Sequence, residues 1–200
     1  GFIASLARAG GNITGVTTLQ RELSGKRLEL LKEVLPQTSR VAALMNETSI
    51  GDFNIYEAPA RRLKVQLQSV SVKGANLDLE GAFQAAVKAR ADALIPISNA
   101  ALNRYSKKIA ELAIKNQLPS MCERSDYVEA GGLMSYSADE AAIYKRAAIY
   151  VDKILKGANP ADLPVEQASK FELVINLKTA KQIGLDIPPR VLARADKVIR

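Results

Sequence analysis

The sequence predicts an α/β fold built on a parallel β-sheet with helices on both faces. Five short apolar segments, typical of buried strands, recur through the middle of the 200-residue chain. The segments between them carry helical apolar periodicity, so strands and helices alternate as they do in βαβ units. Apolar residues make up 48% of the chain, which is enough for a hydrophobic core. The predicted fold class is therefore a doubly wound, three-layer α/β sheet.

Three elements are expected before this sheet begins. Residues 2–9 have the composition of a helix, which the glycine pair that follows would end. Residues 13–17 have the composition of a short strand. Residues 23–35 carry an apolar stripe typical of an amphipathic helix, and Pro36 ends it because proline cannot continue a helix.

The five predicted strands alternate with helices. The strands are expected at residues 41–45, 67–72, 93–97, 118–122 and 132–136, and the helices at residues 54–64, 79–90 and 102–116. Pro59 weakens the middle of the first of these helices, because proline lacks the backbone N–H that a helix needs. Parallel strands joined by helices imply right-handed crossovers. Cys122 is the single cysteine and is expected to pack in the core.

The pattern changes after residue 136. Residues 139–155 are expected to form one long amphipathic helix. Six apolar side chains are available to its buried face: Ala142, Ala147, Ile149, Tyr150, Ile154 and Leu155. A strand at residues 171–176, a short helix at 177–184 and the tail 191–200 complete the chain. These terminal elements present apolar faces for which the sequence offers no obvious partner.

The residue types present argue against catalysis. The chain contains no histidine, which removes Ser-His-Asp and Cys-His arrangements and imidazole metal ligands. It also contains no Cys-x-x-Cys pair and no Walker-type or G-x-G-x-x-G phosphate loop. The acid pair Asp139-Glu140 stands at a helix start, where capping is a sufficient reason for it. We therefore expect a protein that is not an enzyme and that uses no metal and no cofactor.

The net charge of +7 does not by itself indicate a nucleic-acid-binding protein. Lys and Arg are scattered and mixed with acids, as in Arg21-Glu22 and Lys32-Glu33, and no basic block interleaved with aromatic residues occurs. We therefore expect a solvated basic surface and no nucleic-acid partner. No apolar run approaches the roughly 18 residues of a membrane span.

Polar residues follow three of the predicted strands. In parallel sheets of this kind, ligands bind beyond the carboxyl ends of the strands. Asn46 follows the first strand, Ser98 and Asn99 follow the third, and Arg124 follows the fourth. Short amide and hydroxyl side chains bind the polar groups of a small solute, and an arginine pairs with a carboxylate. These four residues are therefore candidate ligand-binding residues.

Each of these candidates also has a purely structural interpretation. Asn46 can shape its loop through an Asx-turn, and the serine–asparagine pair after the third strand can cap the helix that follows it. Arg124 can form a salt bridge with Glu123 or Glu129. The sequence leaves both interpretations open at every one of these positions.

Several strings of residues occur together in a fixed order. They are Gly10-Gly-Asn-Ile-Thr-Gly15, residues 23–33, Val128-Glu-Ala-Gly-Gly-Leu-Met-Ser-Tyr136, residues 150–165, and residues 170–181 followed by 184–189. In this combination the chain resembles the substrate-binding proteins of ABC transporters, in the branch that includes tryptophan- and aromatic-amino-acid-binding members. The likeness covers essentially the whole chain.

The resemblance implies two α/β lobes joined by a hinge, with a small solute bound between them. Residues 37–135 would form one complete periplasmic-binding-protein-like lobe, and residues 1–36 and 136–200 would be hinge and first-lobe remnants. Most of the N-terminal lobe, with its secretion signal, would be absent from this sequence. The implied function is the periplasmic solute-binding component of an ABC importer. Its ligand would be amino-acid-like, and its partners would be the ABC permease subunits in the membrane.

The resemblance also bears on two residues of the site. Tyr136 lies where the chain crosses the implied hinge, and it either stacks on an aromatic ligand or packs within the hinge. Asn46 matches the asparagine that begins the corresponding loop in the family. Glu47 replaces the proline usual there and Asp52 a usual small hydroxyl residue, which leaves the ligand of this loop open.

Three other functions remain open. One is a ligand-sensing module of the same fold in a regulator or receptor kinase, which a DNA-binding or kinase segment in the full-length protein would identify. Another is a flavodoxin-like or racemase-like enzyme, which would need a catalytic cysteine pair or a cofactor loop that this sequence lacks. The last is a scaffold that is half of a clamp and no longer binds a ligand.

Overall fold

The computed structural model describes residues 5–73 and 77–200, and they divide into two compact units. The smaller unit comprises residues 1–20 and 137–171. The larger unit comprises residues 21–136 and 172–200. The chain therefore passes from one unit to the other after residues 20, 136 and 171.

The described strands and helices follow one another along the chain as βαβ units do. The strands are β1 (Val16–Thr17), β2 (Arg40–Met45), β3 (Gln66–Ser71), β4 (Ala93–Pro96), β5 (Met121–Cys122), β6 (Met134–Ala138), β7 (Glu166–Gln167), β8 (Phe171–Asn176) and β9 (Lys197–Ile199). The helices are α1 (Ser24–Val34), α2 (Ile50–Arg62), α3 (Leu79–Lys88), α4 (Ala100–Asn103), α5 (Ser106–Lys115), α6 (Ser125–Glu129), α7 (Glu140–Leu155), α8 (Leu177–Gln182) and α9 (Pro189–Leu192).

The sheet of the larger unit confirms the five predicted strands. β2 pairs in parallel with β3 on one side and β4 on the other. A parallel bridge between Leu94 and Ser120 connects β4 to the β5 segment, and β5 pairs in parallel with β6. Beyond β6 the sheet continues through β8 to β9, which pair in parallel with each other. The strand order is thus β3-β2-β4-β5-β6-β8-β9, two strands more than the sequence predicts for this sheet.

Helices cover both faces of this sheet, which is why its central strands are continuously apolar. In β2, Val41, Ala43 and Met45 belong to one core, together with residues of α1, α2, α8 and α9. Ala42 and Leu44 belong to a second core, together with residues of α3 and α5. Because successive side chains of a strand point to opposite faces, one apolar run supplies both cores. The three-layer prediction is confirmed.

The division into units differs from the predicted boundaries at residues 36 and 135. Helix α1 lies in the larger unit, where its apolar stripe is buried in the first core. Residues 172–200 lie there too, with Leu173 and Ile175 of β8 in that same core. The sequence placed both segments among the remnants 1–36 and 136–200. Their apolar faces find their partner in the sheet, a pairing that local periodicity does not report.

Three local predictions are also corrected. Residues 5–9 are not helical, and residues 2–4 of that predicted helix lie outside the described residues. The Arg8 N–H donates to the Ser5 hydroxyl at 3.1 Å, a local bond that competes with helical pairing. The predicted helix 102–116 is two helices, α4 and α5, and the Ser106 hydroxyl donates to the Asn103 carbonyl at 2.8 Å where they meet. A 3₁₀ turn at Glu47–Ser49 leads into α2, which begins four residues earlier than predicted.

The smaller unit consists of α7 and a two-stranded parallel sheet of β1 and β7. Of the six side chains assigned to the buried face of α7, Tyr150 is buried, and Ile149, Ile154 and Leu155 are exposed. That prediction was wrong for these three residues, because the described part of this unit offers α7 only two strands of two residues each. In the described part of the chain, no helix combines the length and the apolar character that crossing a membrane requires.

Candidate functional site

The strand registers bring the predicted site residues to one edge of the larger unit's sheet. Leu44 of β2 pairs with Pro96 of β4, and Cys122 of β5 pairs with Ser135 of β6. The strands run in the same direction, so the residues that follow β2, β4 and β5 emerge at the same carboxyl edge. This is the edge at which open α/β sheets bind ligands.

Asn46 and Asn99 are linked through Ser49. The side-chain oxygen of Asn46 accepts hydrogen bonds from the Thr48 amide at 3.2 Å, the Thr48 hydroxyl at 2.8 Å and the Ser49 hydroxyl at 2.9 Å. The side-chain amide of Asn99 donates to the Ser49 hydroxyl at 2.7 Å. The Asn99 oxygen caps α4 by accepting from the Ala101 and Leu102 amides, both at 3.0 Å. Both asparagines therefore shape their loops, and Ser49 joins the two loops.

Ser98 is held by its backbone and by its side chain. Its N–H donates to Glu123 Oε2 at 3.1 Å, which ties the loop after β4 to the residue that follows β5. Its hydroxyl donates to the side-chain oxygen of Asn103 at 3.1 Å. Ser98 remains half-buried rather than sealed. Ser98 is a candidate ligand-binding residue from the sequence, which predicts neither Glu123 nor Asn103 as its partner.

A buried charged cluster lies beneath this edge. Arg27 of α1 is fully buried, and Glu123 is 7% exposed. Glu123 Oε1 accepts from the Tyr56 hydroxyl at 2.7 Å and from an Arg27 guanidinium nitrogen at 3.4 Å. Arg27 Nε donates to the Tyr136 carbonyl at 2.8 Å. We call Arg27, Tyr56 and Glu123 the buried triad.

Burial changes the acidity of groups in and around the triad. It is the largest cause that raises the pKa of the Tyr56 hydroxyl well above 10, and the neighbouring Glu123 carboxylate adds to it. Burial also raises the pKa of the Cys122 thiol to about 12, with Glu123 again contributing. Cys122 is therefore a protonated core side chain and not a nucleophile at neutral pH.

Arg124 forms a two-bond ion pair with Asp126. Its Nε lies 3.0 Å from Asp126 Oδ1, and a terminal nitrogen lies 2.6 Å from Oδ2. The partners expected from the sequence were Glu123 or Glu129. Glu123 belongs instead to the buried triad, and Glu129 pairs with Lys197 at 2.7 Å. The Arg124 side chain is 34% exposed and that of Asp126 53% exposed, so the pair faces solvent at the carboxyl edge.

Tyr136 lies within β6, and its half-buried ring packs against the first core. The buried part of the ring therefore fits the structural interpretation of Tyr136 as a packed tyrosine. Its carbonyl is fixed by Arg27. Tyr136 is the last residue of the larger unit before the chain passes into the smaller one.

The chemistry assembled here suits reversible recognition of a polar solute. The edge offers amide and hydroxyl side chains and a solvent-facing ion pair. Among the described residues, no cluster of three or more cysteine, aspartate or glutamate side chains is arranged to hold a metal ion. Ser49 and the buried triad are not among the residues predicted from the sequence. A signal existed for Arg27, because it falls on the apolar stripe of α1 with Leu31 and Val34, where a charged residue is out of place.

Comparison with known proteins assigns the chain to a family. The family model described as ABC transporter substrate binding protein matches residues 1–199. A conserved domain protein from Vibrio cholerae O1 biovar eltor is 27% identical, with a TM-score of 0.87 over 98% of this chain and 66% of its own. An ABC domain from Streptococcus pneumoniae, in complex with L-Trp, is 25% identical, with a TM-score of 0.83 over 98% of this chain and 68% of its own.

A third solved structure shows the same fold. It is the ligand-free, open structure of a substrate binding protein with adhesive properties from Clostridium difficile, 18% identical, with a TM-score of 0.76 over 100% of this chain and 66% of its own. This chain thus spans about two thirds of the length of these three proteins. No curated protein gives a significant match. Because the family model matches essentially the entire sequence, the chain belongs to the ABC transporter substrate-binding protein family.

Proposed function

We propose that this chain is the solute-binding component of an ABC importer and that it binds an amino-acid-like ligand at the carboxyl edge of the larger unit. The observation that carries the proposal is the match, over 98% of this chain, to a domain that is in complex with L-Trp. The residues proposed to contact the ligand are Asn46, Ser98, Asn99, Arg124 and Tyr136.

The solvent-facing pair of Arg124 and Asp126 supports an amino-acid-like ligand. A free amino acid carries a carboxylate and an ammonium group, and a site for it needs a donor for one and an acceptor for the other. A guanidinium and a carboxylate held side by side at one edge present both charges. The amide and hydroxyl groups of Asn46 and Ser98 add neutral hydrogen-bonding partners without a large desolvation cost.

We further propose that the parent protein works outside the cytoplasm and docks on the ABC permease subunits in the membrane. Membership of the substrate-binding family supports both parts of this proposal. The reaction is binding and release, so the proposal assigns no covalent chemistry to the chain.

Ligand binding can be measured directly because the protein contains no tryptophan. Emission from added L-Trp then reports on the ligand alone, and its anisotropy rises when it tumbles with the protein. A thermal-shift screen against the other amino acids runs alongside. At a ligand concentration of ~100 times Kd, binding adds about 2.7 kcal/mol of stability. For a chain of this size that is a rise in Tm of roughly 5–10 °C.

The variant R124A tests the site, and R194A is its matched control. Arg194 forms an ion pair with Glu33 at 2.6 Å within the same unit and is not among the proposed ligand contacts. We expect R124A to weaken binding of the best ligand at least about tenfold, which corresponds to ~1.4 kcal/mol, and R194A to leave it unchanged. If no amino acid raises the Tm and the emission anisotropy of L-Trp does not rise on adding the protein, the proposed ligand class is wrong. If R124A and R194A bind equally, the proposed site is wrong.

A further inference from the structure

We propose that the buried triad of Arg27, Tyr56 and Glu123 acts as a positioning unit for the solute site, fixing the backbone of Ser98 and Tyr136 from below. The inference rests on the proposed function, because the two residues that it positions are proposed ligand contacts. None of the three triad residues is itself proposed to touch the ligand.

Arg27 connects distant parts of the larger unit. A buried charge is stable only when it is paired and hydrogen-bonded, so its partners must stay where they are. Arg27 is fully buried and lies on α1, yet it bonds Tyr56 of α2, Glu123 after β5 and the Tyr136 carbonyl of β6. Those partners lie 29, 96 and 109 positions away along the chain. One guanidinium therefore joins three elements of the larger unit, α1, α2 and β6, and the loop after β5.

The two oxygens of the Glu123 carboxylate have different partners. One oxygen accepts from the Tyr56 hydroxyl and from Arg27, and the other accepts from the Ser98 amide. Bonds to an ionised carboxylate are strong and directional, so the Tyr56 and Arg27 contacts determine where the second oxygen points. The position of the Ser98 amide follows from that orientation.

Arg27 also bonds the Tyr136 carbonyl. Arg27 Nε donates to it at 2.8 Å, so the guanidinium that orients Glu123 also fixes the backbone of β6. The backbones of Ser98 and Tyr136 are thus both bonded to buried, mutually paired side chains. A solute contacting both would meet them already in place, which lowers the conformational cost of binding.

Removing Arg27 is a poor test, because it would leave the Glu123 charge buried without its cation. The Y56F variant is better, since it keeps the ring in the first core and removes only the hydroxyl, which donates to Glu123 and accepts from Arg27 at 3.3 Å. The chain supplies a matched control in Y127F. Tyr127 is 2% exposed, lies in the second core, and its hydroxyl bonds the Ser120 hydroxyl at 3.0 Å. Both variants delete one buried, hydrogen-bonded oxygen.

The first readout needs no ligand. Amide hydrogen exchange of Ser98 is measured by NMR in each variant and referred to the amide of Ile97, which bonds the Leu44 carbonyl at 2.9 Å within the sheet. We expect Y56F to accelerate exchange at Ser98, relative to Ile97, at least about tenfold. The reason is that Glu123, the acceptor of the Ser98 amide, is then held less firmly. We expect Y127F to change both amides by the same factor, as a general loss of stability would.

The second readout is the affinity for L-Trp, measured by emission anisotropy on the same samples. We expect Kd to rise about tenfold in Y56F and to stay within about twofold of wild type in Y127F. Unchanged relative exchange at Ser98 in Y56F, or an equal change in the two variants, would overturn the positioning role. If the wild-type chain binds no amino acid, the proposed ligand class fails on its own, and the exchange comparison still decides whether the triad positions Ser98.

Discussion

Asn46 illustrates how a local and a functional role can coincide in one side chain. Its oxygen is occupied by Thr48 and Ser49, which is the Asx-turn interpretation that the sequence left open. The same bonds hold the residue at the carboxyl edge of β2, where a ligand-binding group is expected. Its role toward a ligand remains a prediction. Arg124 is similar, since its ion pair with Asp126 orients the guanidinium at the edge.

Asp92 provides a prediction about pH. Burial by itself raises the pKa of the Asp92 carboxyl, but the Ser39 and Arg40 amides, both at 2.8 Å, and the Ser39 hydroxyl at 3.0 Å donate to it. These bonds outweigh burial and hold the pKa below its usual value of 3.8. A depressed pKa contributes stability that is present above the unfolded-state pKa and is lost as pH falls through the folded-state pKa.

We therefore expect D92N to lower the free energy of unfolding by about 1 kcal/mol at neutral pH, a modest value because the carboxylate is partly solvated. The difference from wild type should shrink as pH falls below 3.8. Urea unfolding at a series of pH values measures it. The exposed Asp186 supplies the control variant D186N, for which we expect no effect. A D92N deficit that is constant across the acid range would contradict this assignment.

Helix α2 tolerates the proline at position 59 through a contact with its neighbour α1. Proline has no N–H, so the Ile55 carbonyl four residues earlier loses its normal helical partner. The Ser24 hydroxyl donates to that carbonyl at 3.3 Å, and Ser24 is only 4% exposed. From the sequence alone, Pro59 is expected to weaken this helix. The structure shows that α1 supplies the missing donor.

This arrangement predicts coupling between Ser24 and Pro59. We expect S24A to destabilise the chain by about 1–2 kcal/mol, because the half-buried Ile55 carbonyl is left without a donor. In a P59A background the new backbone N–H serves that carbonyl, so S24A should cost less by at least about 0.5 kcal/mol. Chemical unfolding of the four proteins of the cycle measures the coupling. An equal cost of S24A in both backgrounds would show that the Ser24 bond contributes nothing.

The two units differ in how much apolar surface they bury. Among the described residues of the smaller unit, the buried apolar side chains are Ala9, Ala138 and Tyr150. Helix α7 exposes Tyr144 at 71% and Leu155 at 82%. In the larger unit, α1 alone buries Leu28, Leu30, Leu31 and Val34.

We therefore expect the smaller unit to open more readily than the larger one. Local opening requires less free energy where few apolar contacts are lost. Hydrogen exchange followed by mass spectrometry should show α7 exchanging much faster than α1, although α7 is the longer helix. Equal protection of the two helices would contradict this expectation and would mean that α7 has a further stabilising contact.

The amino-acid sequence alone is enough to predict the fold class, five strands of the sheet, most helices and the family likeness. It could do so because apolar runs such as Val41 to Met45 report burial on both faces of a strand, and periodicity is a local property. It also indicates the carboxyl edge, since polar residues that directly follow a buried strand can be recognised in the sequence.

Which side chains meet across that edge depends on the tertiary fold. Arg27 and Glu123 are 96 positions apart, and nothing in the neighbourhood of either shows that they pair. The same holds for β8, whose apolar face is partnered by the sheet, and for α7, where three residues of the predicted buried face, Ile149, Ile154 and Leu155, are exposed. Periodicity shows that a face is apolar, whereas its partner depends on how distant segments pack. Buried charges depend on that packing most, because their stability requires a specific partner at hydrogen-bonding distance.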